Sequence, residues 1–178
     1  MNMEEFKGIR ESLEKEDSDR EQEITLSRDL IRESKIVIYG LQRGENVSLD
    51  KIRELVSQFN VDSLTGISKT AMQEYVEALT FYYYIKENRL ITMKELEVRV
   101  EDYLLGLCDL SGELVRKAVK DAIAKNYSSV LEITKFVEEL YGEFLKFNLR
   151  NGELRKKSDM MRWNLQKLEQ LSLDVSKA

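Results

Sequence analysis

Four acidic side chains on two predicted helices carry most of the chemistry this sequence can offer. Glu74 and Glu77 are three residues apart, so a helix points both from one face, and they sit among Val76, Ala78, Leu79 and Phe81. Asp109 and Glu113 are four apart, inside Leu105-Gly106-Leu107-Cys108-Asp109-Leu110-Ser111-Gly112-Glu113-Leu114. Apolar neighbours on both sides predict that these acids lie at least partly buried. Gathered in one place they would repel: at about 4 Å and an effective dielectric near 20, each close pair costs roughly 4 kcal/mol. Such a cluster must hold protons or bind a cation. An all-oxygen donor set without His or Cys suits Mg²⁺ or Mn²⁺ rather than zinc or copper, and metal-assisted phosphoryl chemistry is the reaction class that fits.

Other readings of the same residues stand beside this one. A Glu-x-x-Glu pair is the ordinary form of a solvated helix face, and the fifth-helix acids could instead pair with Arg116 or Lys117. Nothing in one sequence shows that the two helices touch. A ferritin-like di-iron bundle is the sharper rival, but such sites use Glu-x-x-His and this chain has no His. Gly112 costs about 1 kcal/mol relative to Ala in mid-helix. It would permit a close approach of helix or substrate, and ordinary helix packing explains it equally well.

Composition narrows the alternatives. Without His there is no His base, no Ser-His-Asp triad and no His ligand. The single Cys, Cys108, excludes a multi-cysteine zinc site and an internal disulfide, which fits a reducing, cytoplasmic setting. The net charge of −5 does not suit a general nucleic-acid binder, so any such binding needs a local basic surface, one that assembly could build. No window approaches 18 uncharged apolar residues, and the first residues are acidic rather than basic-then-apolar, so neither a membrane span nor a secretory signal is expected.

The elements that must position the acids all read as helices. With no Pro and only 8 Gly in 178 residues, breakers are scarce. A first helix is predicted from Met3 to Gly44, polar and acid-rich through Glu23, then striped with Ile24, Leu26, Leu30, Ile31, Val37, Ile38 and Leu41. Ser48 is placed as the cap of a short helix from Leu49 to Phe59. A break at Gly66 opens a third helix, Ser68 to Asn88, apolar nearly all round at Leu79 to Ile85 and therefore central or at an interface. Thr92 with Glu95 forms a capping box for a short fourth helix. A fifth runs from Val100 to Lys125, a second capping box at Ser129 and Glu132 opens a sixth through Phe147, and a turn at Asn151-Gly152 precedes a last helix from Leu154 to Leu173. The fold class expected is all-α, a single domain over 1–178 built as a seven-helix bundle.

At these residues the sequence resembles the translin family. Leu26-Ser27-Arg28-Asp29 and Glu33-Ser34-Lys35 are similar to its first-helix signature, and Gln73-Glu74-Tyr75-Val76-Glu77-Ala78 to a segment of its translin-associated factor X branch. Ile85-Lys86, Arg89-Leu90-Ile91, Met93 and Glu95 continue the match. The strongest stretch is Asp102-Tyr103-Leu104-Leu105-Gly106 with Asp109-Leu110-Ser111-Gly112-Glu113-Leu114 and Arg116. Phe136, Glu139-Leu140-Tyr141 and Phe144 follow, then Lys156-Lys157, Leu165, Lys167 and Leu168 more weakly.

The resemblance implies a closed homo-oligomeric shell, an octamer or similar, that encloses and cleaves single-stranded RNA with Mg²⁺ or Mn²⁺ and also binds single-stranded DNA. It places Glu74, Glu77 and Asp109 at the X-type metal positions, with Glu113 as a catalytic neighbour. The N-terminus lacks the family's basic nuclear signal and the long loop after the fourth helix is missing, which suggests a compact prokaryotic form assembling with itself. A translin-like binder without catalysis is the alternative, and a helical assembly protein is a third. For RNA contact the candidates are Arg28, Arg32 and Lys35 on the first helix, with Lys86, Arg89 and Arg116 near the acidic motifs. Tyr82, Tyr83 and Tyr84 are either base-stacking residues or core and subunit contacts.

Overall fold

The computed structural model describes residues 3–61, 64 and 66–177. Among the described residues there are seven helices and no strand: α1 (Met3–Gln42), α2 (Asp50–Val56), α3 (Gly66–Glu87), α4 (Met93–Leu96), α5 (Val100–Ile123), α6 (Tyr127–Phe144) and α7 (Glu153–Val175). None of them is long and apolar enough to cross a membrane.

The ends of the helices show which local signals prevail. The chain leaves α1 through Gly44, whose φ of +74° a side chain would strain. The Thr92–Glu95 capping box forms in full, each side chain bonding the other's backbone N–H. The second expected box does not form. α6 starts earlier, at Tyr127, and the Ser129 hydroxyl donates instead to Asp121 Oδ2 at 2.6 Å. Asp121 is buried and also accepts from Lys117, so satisfying that carboxylate outweighs capping. Ser48 lies one residue ahead of the α2 N-cap, which is Leu49, although its hydroxyl still accepts from the Asp50 N–H at 3.1 Å.

Packing follows from the apolar stripes. α3 lies between α1 and α5, α5 packs on α6 and α7, and α6 packs on α7. Leu30 and Val37 of α1, Met72, Val76 and Phe81 of α3, Leu110 and Leu114 of α5, and Met161 and Leu168 of α7 are all completely or nearly completely buried. Each such side chain contributes about 1.5–3 kcal/mol through removal from water. The Leu79 to Ile85 run is central: Leu79, Thr80 and Phe81 are buried, and Tyr82 to Ile85 are half-buried against the same core.

The close contact between α3 and α5 depends on Gly106 rather than Gly112. A Cβ at Gly106 would lie 2.5 Å from Val76 Cγ1 and 3.0 Å from the Gln73 carbonyl oxygen. One at Gly112 would meet only Asn164 Nδ2, at 3.7 Å. The absent side chain therefore brings the two acid-bearing helices together. By contrast, residues 3–22 of α1 are exposed along their whole length.

Candidate functional site

Because α3 and α5 meet at Gly106, the faces that carry their acids open into one pocket. Glu74, Glu77, Asp109 and Glu113 all line it, with Cys108, Gly112 and, from α7, Lys157, Met160 and Asn164. The four carboxylates are half-buried, as their apolar neighbours implied.

The electrostatics match a crowded anionic site. Glu77 is pushed up to about 8 from the ordinary carboxylate range, first by burial and then by Asp109, Glu74 and Glu113, in that order. Burial also raises Asp109, against the opposing pull of Lys157, whose ammonium donates to Asp109 Oδ2 at 2.5 Å. The other two acids have partners as well. Lys35 of α1 lies 3.4 Å from Glu74. Glu113 accepts from Gln42 Nε2 at 2.9 Å and has Arg116 at 3.7 Å. Burial pushes the Cys108 thiol up to about 12, which favours its protonated form at neutral pH.

A hard divalent cation suits these donors, which are carboxylate oxygens with excess negative charge and no soft ligand. Among the described residues, however, no three such side chains are already gathered as a ligand set. Lys157 and Lys35 supply the positive charge that the pocket holds in this arrangement.

The basic residues divide into two groups. Arg28, Arg32 and Lys35 line one groove on the outer face of α1, and Arg116 stands next to Glu113. Lys86 lies about 13 Å further along α3 than Glu77, at 1.5 Å rise per residue. Arg89 is engaged at the α3–α4 junction by Glu87 at 2.7 Å, Glu95 at 2.9 Å and the Tyr83 ring at 4.5 Å. Neither belongs to the pocket. Tyr84 packs on Phe136, with centroids 4.6 Å apart, so Tyr83 and Tyr84 make contacts within the chain.

Sequence reasoning missed Lys157, Gln42 and Asn164 as parts of the site. Asn164 donates to Ser111 Oγ at 2.9 Å, and Ser111 in turn donates to the Cys108 carbonyl at 2.6 Å. That chain of bonds fixes α7 on α5 and holds Lys157 over Asp109. The Lys156-Lys157 pair was a visible signal, but nothing local says which lysine faces inward.

Comparison with known proteins agrees with this architecture. Residues 18–176 match the model of the translin family. An uncharacterized protein of Methanocaldococcus jannaschii is 31% identical over 177 residues, covering 93% of this chain and 80% of that protein. The translin-associated protein X homolog of Schizosaccharomyces pombe is 25% identical over 196 residues, covering 93% and 84%. Of solved structures, apo-NeC3PO is similar with a TM-score of 0.88 at 29% identity, over 96% of each chain. AfC3PO gives 0.83 at 25% identity, over 97% of each. The chain belongs to the translin family.

Proposed function

We propose that this protein is a Mg²⁺- or Mn²⁺-dependent endoribonuclease that cuts single-stranded RNA within a homo-oligomeric shell. The observation that carries the reading is the convergence of four carboxylates from α3 and α5 in one pocket, with Glu77 holding its proton to about pH 8. Glu74, Glu77 and Asp109 would hold the cation, and Glu113 would stand beside it. A divalent ion held there supplies Lewis-acid neutralisation of charge on the reacting phosphate. The chain's own contribution is placement. Gln42 fixes Glu113 through its carboxylate and its backbone carbonyl, and Lys157 orients Asp109. Arg116 and Lys35 bring positive charge to the rim, where a polyanion must approach an acidic molecule. Similarity over 93% of the chain to a protein named translin-associated protein X homolog supports placing it on that branch of the family.

A second reading, binding without cleavage, is favoured by the ion pairs that already occupy Glu74 and Asp109. One experiment separates the two. Protein stripped with EDTA is incubated with end-labelled single-stranded RNA, with and without Mn²⁺ or Mg²⁺, and Mn²⁺ binding is followed separately by electron paramagnetic resonance. The nuclease reading expects cleavage only with metal. It also expects Glu77→Ala to lose both cleavage and bound Mn²⁺ while keeping RNA affinity. A Glu77→Ala protein that cuts at the wild-type rate would leave the binder reading standing. Duplex RNA belongs in the same assay as a poorer expected substrate, because the faces of its bases are already covered by their neighbours.

A further inference from the structure

Helix α1 carries a second chemical face. Arg28, Arg32, Lys35, Ile36, Tyr39 and Arg43 follow one another at helical spacing and form one stripe. All six are exposed, and a groove runs along the stripe. Two large apolar groups stand among these cations: Ile36 is 54% and Tyr39 53% exposed.

Two guanidinium groups gather at the Tyr39 ring. Arg43 Cζ lies 5.6 Å and Arg116 Cζ 5.8 Å from its centroid, within cation–π range. More than half of the residue is exposed with both in place. Arg116 belongs to α5 and also reaches Glu113 at 3.7 Å, so the ring is a single arginine away from the acidic pocket. At the other end of the same border Lys35 reaches Glu74 at 3.4 Å. The basic stripe and the acidic pocket are therefore adjoining surfaces of opposite sign.

We propose that Tyr39, with Arg43 and Arg116, is a nucleobase-stacking platform that takes an unpaired base of single-stranded RNA and sets its neighbouring phosphate against the pocket. The proposal deepens the nuclease reading and rests on it for its location. A flat apolar ring flanked by guanidinium groups matches the two faces of a nucleotide, base and phosphate. Arg32, Lys35, Arg43 and Arg116 have Asp29, Glu74, Glu45 and Glu113 as carboxylate neighbours, yet all four remain exposed, so a phosphate can reach them from the solvent side. Bases within a duplex already have their faces covered by their neighbours, so a platform of this kind selects single strands.

The test is fluorescence anisotropy in EDTA, where nothing is cleaved, with a labelled single-stranded oligoribonucleotide and the same oligomer carrying abasic positions. Tyr39→Ala should weaken binding of the normal strand by roughly tenfold, a typical loss for one stacked base. The dependence of affinity on salt should not change, because no phosphate contact is removed. Tyr39→Trp should restore the affinity, and on the abasic strand wild type and Tyr39→Ala should bind alike. Equal affinity of wild type and Tyr39→Ala for the normal strand overturns the platform, as does an equal loss on the abasic one. A change in the oligomer mass of Tyr39→Ala by light scattering also overturns it, since the face is then a subunit contact. A protein that shows this stacking signature yet does not cut RNA with Mn²⁺ keeps the platform and loses only the nuclease reading.

Discussion

Burial and three neighbouring carboxylates give Glu77 a proton affinity it lacks in the unfolded chain, about 8 against an ordinary 4.5. Between those two values the folded protein holds a proton that the unfolded chain has released. This group therefore stabilises the fold less as pH rises from about 4.5 through about 8, and its effect levels off above that. In EDTA, calorimetry should show the melting temperature falling from pH 5.5 to pH 8.5, and Glu77→Gln should flatten that fall. Added Mg²⁺ or Mn²⁺ should stabilise the wild type more at pH 8.5 than at pH 5.5, because carboxylate ligands must be deprotonated to bind. Equal slopes in wild type and Glu77→Gln would mean that Glu77 titrates as an ordinary exposed acid. The candidate acids were legible in the sequence because a carboxylate between apolar neighbours at three- or four-residue spacing is a local signal. Lys157 was not, since its pairing with Asp109 exists only once α7 has docked on α5.

At the scale of elements, the site depends on how closely α3 and α5 approach. Gly106→Ala gains about 1 kcal/mol of helix propensity, but its Cβ would overlap Val76, which is β-branched and stiff at χ1, and press on the Gln73 carbonyl. Overpacking of this kind costs typically 1–3 kcal/mol, so the clash should win and lower the melting temperature by a few degrees. Gly112→Ala meets no comparable obstacle and should melt at or above the wild-type temperature. If Gly106→Ala proved as stable as Gly112→Ala, the close approach would not be a determinant of the fold. The same contrast explains what the sequence could and could not disclose. The Thr92–Glu95 box was legible because both partners lie within one turn. The Ser129–Glu132 box was misjudged because buried Asp121, on the preceding helix, takes the serine's hydroxyl. Gly112 and Gly106 look alike as mid-helix glycines, and only the helix packed opposite distinguishes them.

For the whole molecule, the question is what covers the front half of α1. Met3, Phe6, Ile9 and Leu13 recur at three- and four-residue spacing and are all exposed; among the described residues nothing buries them. A helical segment with no tertiary packing is marginal in water, and an apolar stripe of this kind is the usual mark of a contact surface. The Leu79 to Ile85 run, which first suggested assembly, is instead taken up by the chain's own core, so the expectation now rests on α1. A second copy of the chain is the simplest partner, because self-complementary contacts close into symmetric oligomers. A shell would also gather the α1 basic stripes of several subunits, which gives a chain of net charge −5 a local surface that attracts RNA. Light scattering at micromolar concentration should give a mass of several subunits, eight by family resemblance. Placing aspartate at both Phe6 and Leu13 should reduce that mass while leaving helix content by circular dichroism near the wild-type value. RNA affinity should fall together with the mass, since fewer basic stripes then face one strand. A wild-type protein that remains monomeric would refute the shell, and an unchanged mass in the double variant would place the subunit contact elsewhere than on α1.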